Sequence, residues 1–126
     1  MPIKDIMVSK LITLKPEDEV KYALDLMSAN NINGAPVVDD SEVLVGMIVK
    51  ADIYRFLMEE GHYDTCPVDW VMTKKVITAS PEDDLIEVAD KLRKYNIIAI
   101  PIVDEKEKLK GIVSIEDVVD YFLHNN

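Results

Sequence analysis

Asn31-Ile32-Asn33-Gly34-Ala35-Pro36-Val37-Val38-Asp39 returns 65 residues later as Asn96-Ile97-Ile98-Ala99-Ile100-Pro101-Ile102-Val103-Asp104. The same register extends outward in both directions without a gap. Upstream, Pro2 falls on Pro67, Met7 on Met72, Ile12-Thr13 on Ile77-Thr78, and Pro16-Glu17-Asp18 on Pro81-Glu82-Asp83. Downstream, Leu44 falls on Leu109, Gly46 on Gly111 and Asp52 on Asp117; the register holds 18 identities across residues 2–57. Three prolines, a glycine and several aspartates in one gapless register mark an internal duplication. A duplication has to be recognised before any element is assigned.

Each half predicts the order strand–helix–strand–strand–helix. Leu11–Leu14 and Val76–Ala79 are short strand-like runs. Pro16 and Pro81 suit a helix start, with Asp18 and Asp83 as candidate N-caps. Val20, Ala23, Leu24 and Met27 then recur at helical spacing, and Leu85, Val88, Ala89 and Leu92 repeat the stripe. Asn31 and Asn96 suit a left-handed position just past a helix. Two apolar runs follow in each half, the second spanning Leu44–Val49 and Leu109–Val113, separated by the polar turns Asp39–Glu42 and Asp104–Glu107. A second helix follows from about Ala51 to Glu59 and from about Glu116 to Leu123. The fold class is therefore α/β, more closely α+β: tandem βαββα motifs over residues 1–60 and 61–126. A half of about 60 residues has a marginal core by itself. The halves are accordingly expected to pack through their sheets as one compact module with pseudo-twofold symmetry.

Composition narrows the function classes. The chain has 126 residues, 48% hydrophobic and 30% charged, with a net charge of −10. That field repels phosphate backbones and anionic lipid, so neither nucleic acid nor membrane is an expected partner. No apolar run approaches the roughly 20 residues of a membrane span, and the start Met1–Asp5 carries no secretory pattern. The single cysteine, Cys66, fits a reducing compartment, and a cytoplasmic location is expected.

The repeated pattern resembles the cystathionine-β-synthase-type (CBS) motif pair, or Bateman module, over about residues 2–123. The resemblance rests on Asn-Ile-x-x-x-Pro-h-h-Asp (h, apolar) followed by Gly-h-h-x-x-x-Asp, each present twice. The second motif is Gly46–Asp52 in one half and Gly111–Asp117 in the other. The resemblance implies a regulatory module, not an enzyme, that binds an adenine nucleotide or adenosyl compound between its motifs and acts on an effector protein in another chain. It also implies a homodimer formed through the helices, with Tyr54, Phe56, Tyr121 and Phe122 as candidate contacts. A ligand-independent dimerisation scaffold is the alternative. No cofactor is required.

The resemblance implies one ligand cleft joining Ser114 and Asp117 to Thr13, Asn33, Gly34, Ala35 and Pro36. The other joins Lys50 and Asp52 to Thr78, Ile98, Ala99, Ile100 and Pro101. In this assignment the aspartates take ribose hydroxyls, a charge-assisted arrangement. The hydroxyl residue lies near the phosphate. Val49 stands where the second cleft would carry that hydroxyl. No basic residue precedes either proline, where some family members grip phosphates. AMP or an uncharged-tail adenosine compound, in the cleft with Asp117, is therefore favoured over ADP or ATP.

Plainer roles compete for several of these residues. Ser114-x-x-Asp117 also fits a helix capping box. Thr13 and Thr78 suit strands, Pro36 and Pro101 suit strand starts or edges, and Gly46 and Gly111 suit turns or tight packing. His62-Tyr63-Asp64-Thr65-Cys66 offers metal-ligand types, but one short loop seldom completes a tetrahedral site and no second cluster accompanies it. Cys66 has only His62 as a nearby base for nucleophilic chemistry. Trp70 is assigned to core or interface packing.

Overall fold

A computed structural model describes residues 1–125. The chain divides into two compact units of the same construction. One runs from Ile12 to Val76; the other combines Met1–Leu11 with the chain from Ile77 onward. Repeat and unit are thus cut differently: residues 1–11 and 66–76, the opening segment of each repeat, stay with the helices and strands of the other copy.

In the first unit, α1 (Val20–Ala29) leads into β1 (Gly34–Val38), β2 (Leu44–Val49) and α2 (Lys50–Leu57). β1 and β2 pair antiparallel from Gly34 opposite Val49 to Val38 opposite Leu44, with an irregularity between Val37 and Val38. The second unit repeats this with α3 (Leu85–Lys94), β3 (Ala99–Val103), β4 (Leu109–Ser114) and α4 (Ile115–His124). Ala99 stands opposite Ser114, and the irregularity falls between Ile102 and Val103. The α+β class and the doubled order are as the sequence predicts, with one change. The first strand of each half is a single parallel bridge, Leu14 to Val37 and Ala79 to Ile102.

The other sheet edge explains why the units exchange segments. In the first unit, Met47 and Thr73 trade N–H donations at 2.9 and 2.8 Å. In the second, Val8 and Ile112 do so at 2.9 and 3.1 Å. The segment around Thr73 thus extends the edge left open by β2, and the segment around Val8 extends that of β4. Both arms also carry an apolar anchor: Val68 and Ile3 are fully buried. Each such burial is worth about 1.5–3 kcal/mol. Val68 joins Leu14, Val20, Met27, Ile48 and Ile53 in one core. Ile3 joins Leu85, Leu92, Ile100, Val113 and Val118 in the other.

Helix ends follow the local sequence closely at one terminus and less closely at the other. Asn31 (φ 54°) and Asn96 (φ 52°) are left-handed, as their position predicts. The Ile32 N–H donates to Met27 O and Asn31 N–H to Ser28 O; Ile97 with Leu92 and Asn96 with Arg93 repeat the pattern. These are the two bonds of a Schellman ending. The N-caps need correction. Glu19 precedes α1 without a side-chain bond, and Asp84, one residue beyond the predicted Asp83, caps α3 by accepting from the Ile86 N–H. Asp18 and Asp83 instead accept from the Lys15 and Ser80 N–H groups, closing the turns before the helices. Trp70 is 64% exposed and so is not a core residue, which leaves the interface half of its expected core or interface role.

Candidate functional site

Within each unit, the hairpin geometry gathers the sequence-predicted residues at one end of the sheet. In the first unit the Lys50 N–H donates to Asn33 O at 2.8 Å, and Gly34 faces Val49. The start of β1 and the start of α2 are thereby held side by side. Thr13 immediately precedes the Leu14 bridge to β1, on the side toward Ala35 because that bridge is parallel. Pro36 offers no N–H, but its carbonyl accepts from the Leu14 N–H at 3.1 Å. Ala35 and Pro36 are buried; Asn33 is exposed. A Cβ on Gly34 would stand 3.0 Å from Val49 Cγ1, so this close approach of strand to strand favours glycine.

The second unit reproduces the arrangement with different side chains. The Ile115 N–H donates to Ile98 O at 3.0 Å, and Ala99 faces Ser114. Thr78 precedes the Ala79 bridge, and its carbonyl accepts from Lys91 Nζ at 3.1 Å. Ile100 and Pro101 are buried, Ala99 is half-buried and Ile98 is 42% exposed.

The two aspartates occupy equivalent positions and make different bonds. Asp117 belongs to a capping box: its Oδ2 accepts from the Ser114 N–H at 2.8 Å, and its own N–H donates to Ser114 Oγ at 3.1 Å. The plainer role weighed for this pair is therefore present. It leaves the Ser114 hydroxyl proton free to donate and retains lone pairs on the carboxylate. Val49 provides no cap for α2. Asp52 instead pairs through Oδ1 with the Arg55 guanidinium one helical turn on. Arg55 was not singled out from the sequence, although a carboxylate and a guanidinium three residues apart on a helix is a readable signal.

The His62 segment has a structural role. His62 Nδ1–H donates to Phe56 O at 2.8 Å, and the ring stacks on Phe56 with centroids 4.0 Å apart. It thereby caps the carbonyl end of α2. Among the described residues, no group of three His, Cys, Asp or Glu side chains converges as a metal site would require. No helix among them is long and apolar enough to cross a membrane.

Two copies of one α+β motif, each holding an aspartate in a helix's first turn against the strand that carries a Pro-h-h-Asp run, define a tandem-repeat module. The CBS domain model matches residues 3–59 and 68–124, and the chain belongs to the CBS domain family. The chain is similar over 98% of its length to CBSX2, whose crystal structure is a complex with AMP: TM-score 0.89, 27% identity, 96% of that chain covered. A crystal structure of the CBS domain pair of protein MJ0100, in complex with 5′-methylthioadenosine and S-adenosyl-L-methionine, matches with TM-score 0.90 and 32% identity. That match covers 100% of this chain and 98% of the other. Inosine-5′-monophosphate dehydrogenase of Aquifex aeolicus is 39% identical over 114 residues, or 90% of this chain. The chain spans only 23% of that enzyme, and about a quarter of the length of the other curated relatives of this rank.

Proposed function

We propose that this chain is a regulatory module that binds an adenine nucleotide or adenosyl compound, with AMP favoured, and performs no chemistry on it. The observation that carries this reading is the repeated placement of Asp52 and Asp117. Each lies at the third position of a helix that starts against the strand residues before Pro36 or Pro101. A carboxylate there can accept from both ribose hydroxyls. The backbone around Gly34 and Ala99 is approachable by a flat base because those side chains are absent or small. The ligands of CBSX2 and of the MJ0100 domain pair support the same ligand class. The proposed ligand contacts are the residues that the family resemblance assigns; it pairs Asp117 with Thr13 and residues 33–36 and Asp52 with Thr78 and residues 98–101, whereas within each unit Asp52 stands beside Asn33 and Gly34 and Asp117 beside Ile98 and Ala99. The protein works in the cytoplasm as a homodimer and signals to an effector on another chain. That output requires different ligand affinity in two states of the assembly.

Thermal unfolding with AMP, ADP, ATP and S-adenosylmethionine tests the reading. A ligand at 100 times its Kd adds about 2.7 kcal/mol of stability. Asp117→Asn is the informative variant. It keeps an acceptor for the Ser114 N–H, so the cap survives while the charge on the ribose acceptor is lost. Its midpoint without ligand should stay near wild type and its shift with S-adenosylmethionine should shrink. No shift with any adenosine compound rejects the proposal.

A second reading, a ligand-independent dimerisation scaffold, is favoured by exposed apolar side chains on α2 and α4. Tyr54 is 54% exposed, Val119 48% and Leu123 70%. A dimer in sedimentation that neither binds nor responds to adenosine compounds would select it.

A further inference from the structure

We propose that the two aspartate positions are tuned to ligands of different charge, with Arg55 and Lys50 as the specificity-determining residues. The Asp52 position takes the phosphorylated nucleotide, and the Asp117 position takes an adenosine compound without phosphate, which reverses the sequence expectation of AMP beside Asp117. This rests on the reading above that adenosine ligands bind at these aspartates, and it adds which ligand each selects.

The duplication supplies an internal control. In the 65-residue register Lys50 corresponds to Ile115, Ala51 to Glu116, Asp52 to Asp117 and Arg55 to Asp120. Lys50, Asp52 and Arg55 together carry one positive charge. Glu116, Asp117 and Asp120 together carry three negative charges. The hairpin and helix geometry around both sets is the same, so beside Val49 in place of Ser114 and Asn33 in place of Ile98, charge is the difference a ligand meets. A chain with net charge −10 disfavours any anion, and a local cationic pair is the means of admitting one.

The bonds already made sharpen the contrast. The Asp117 carboxylate accepts from the Ser114 backbone N–H, while its own N–H donates to the Ser114 hydroxyl oxygen, and among the described residues no cation pairs with it. It can accept from ribose hydroxyls, but a phosphate dianion nearby would meet the carboxylates of Asp117 and Asp120, one helical turn apart on the same face. Asp52 is held by Arg55, whose side chain is 71% exposed while that of Asp52 is 28% exposed. The guanidinium has five donors in a planar fork, and only one is engaged by Asp52. The remaining donors lie at the surface, where a phosphate can share them. Lys50, the first residue of α2, is tied by its backbone N–H to Asn33 O and adds a second positive charge to the same helix start.

Isothermal titration calorimetry on the full chain with AMP and with adenosine tests the assignment. Asp52→Asn should remove AMP binding and leave adenosine binding, and Asp117→Asn should do the reverse. Arg55→Gln should weaken AMP about two- to fivefold, the range of a solvent-exposed ion pair, and leave adenosine unchanged. AMP affinity should fall with added salt more steeply than adenosine affinity. Loss of both ligands with the same aspartate variant, or equal effects of Arg55→Gln on both, overturns the charge assignment while leaving the module a nucleoside sensor. Failure of wild type to bind either ligand overturns the proposed function and this inference together.

Discussion

The sulfur of Met72 occupies the space a side chain on Gly46 would fill: a Cβ built there stands 2.5 Å from Sδ and 3.1 Å from the Thr73 carbonyl oxygen. Met7 covers Gly111 in the same way, at 2.7 Å from Sδ and 3.1 Å from the Val8 carbonyl. Both contacts lie beside the bridges that dock the exchanged arms. The methionine can swing aside, but the bridged carbonyl cannot without losing its bond. Gly46→Ala and Gly111→Ala should each destabilise by about 1–3 kcal/mol, the usual range for overpacking. Urea unfolding measures this. Repeating Gly46→Ala in a Met72→Ala background should recover part of the loss and so show coupling between the two positions. A neutral Gly46→Ala with Met72 intact would show that the arm is not held against the strand.

Ser114 and Val49 separate capping from ligand binding. Ser114→Ala removes the acceptor for the Asp117 N–H and should cost about 1 kcal/mol. Ser114→Thr restores an acceptor and should recover most of it. Amide exchange in the first turn of α4 should quicken in the alanine variant and not in the threonine variant. Equal exchange in both would mean the capping box contributes nothing in solution.

Much of this fold is legible because it is written twice in local chemistry. Asn31 and Asn96 end α1 and α3 in left-handed geometry, the apolar stripes fill the two cores, and the aspartates reach the helix starts they were assigned to. The caps were less legible. Glu17-Asp18-Glu19 and Glu82-Asp83-Asp84 offer cap-like carboxylates at successive positions, and only the backbone decides which one faces a free N–H. Thr13 and Thr78 have strand propensity, but a ladder needs a partner, and only one residue on each segment finds one. The exchanged arms were the least legible. Met7 meets Gly111 and the Ile3 N–H reaches the Asp83 carbonyl across long stretches of chain, and nothing in a local pattern records such a contact. The glycines hinted at tight packing without saying what packs there. Of the candidate site, each unit brings together its own strand residues and aspartate. The Arg55 partner of Asp52 is missing from the sequence reading, although its three-residue spacing signals it.

Glu107 and Glu42 are left-handed at φ 64° and φ 67° in the hairpin turns, a conformation that disfavours most side chains. Both side chains are exposed. Replacing either with glycine removes the steric penalty but adds chain entropy to the unfolded state. The net effect of Glu107→Gly should be stabilisation by up to about 1 kcal/mol. Glu107→Val, branched at Cβ, should instead destabilise. Thermal midpoints of the two variants check the sign, and a destabilising glycine would mean that the glutamate makes compensating contacts in solution.

Asp104 sits at the start of the β3–β4 turn and makes that turn sensitive to acid. Partial burial opposes its ionisation. The N–H groups of Lys108 and Lys106 donate to Oδ1 at 3.0 and 2.9 Å, and the Lys110 ammonium lies 3.6 Å from Oδ2. Together they outweigh burial and hold the carboxyl below its ordinary value. A carboxylate whose folded pKa lies below its unfolded pKa contributes stability that is complete above the unfolded value, about 3.9, and lost as pH falls through the folded one. Asp104→Asn removes that contribution. The variant should be less stable than wild type at pH 6, and the gap should narrow steadily as pH drops below 4. Urea midpoints from pH 6 to pH 2.5 measure it. A gap that stays constant over this range would show that the carboxylate's charge does not hold the turn.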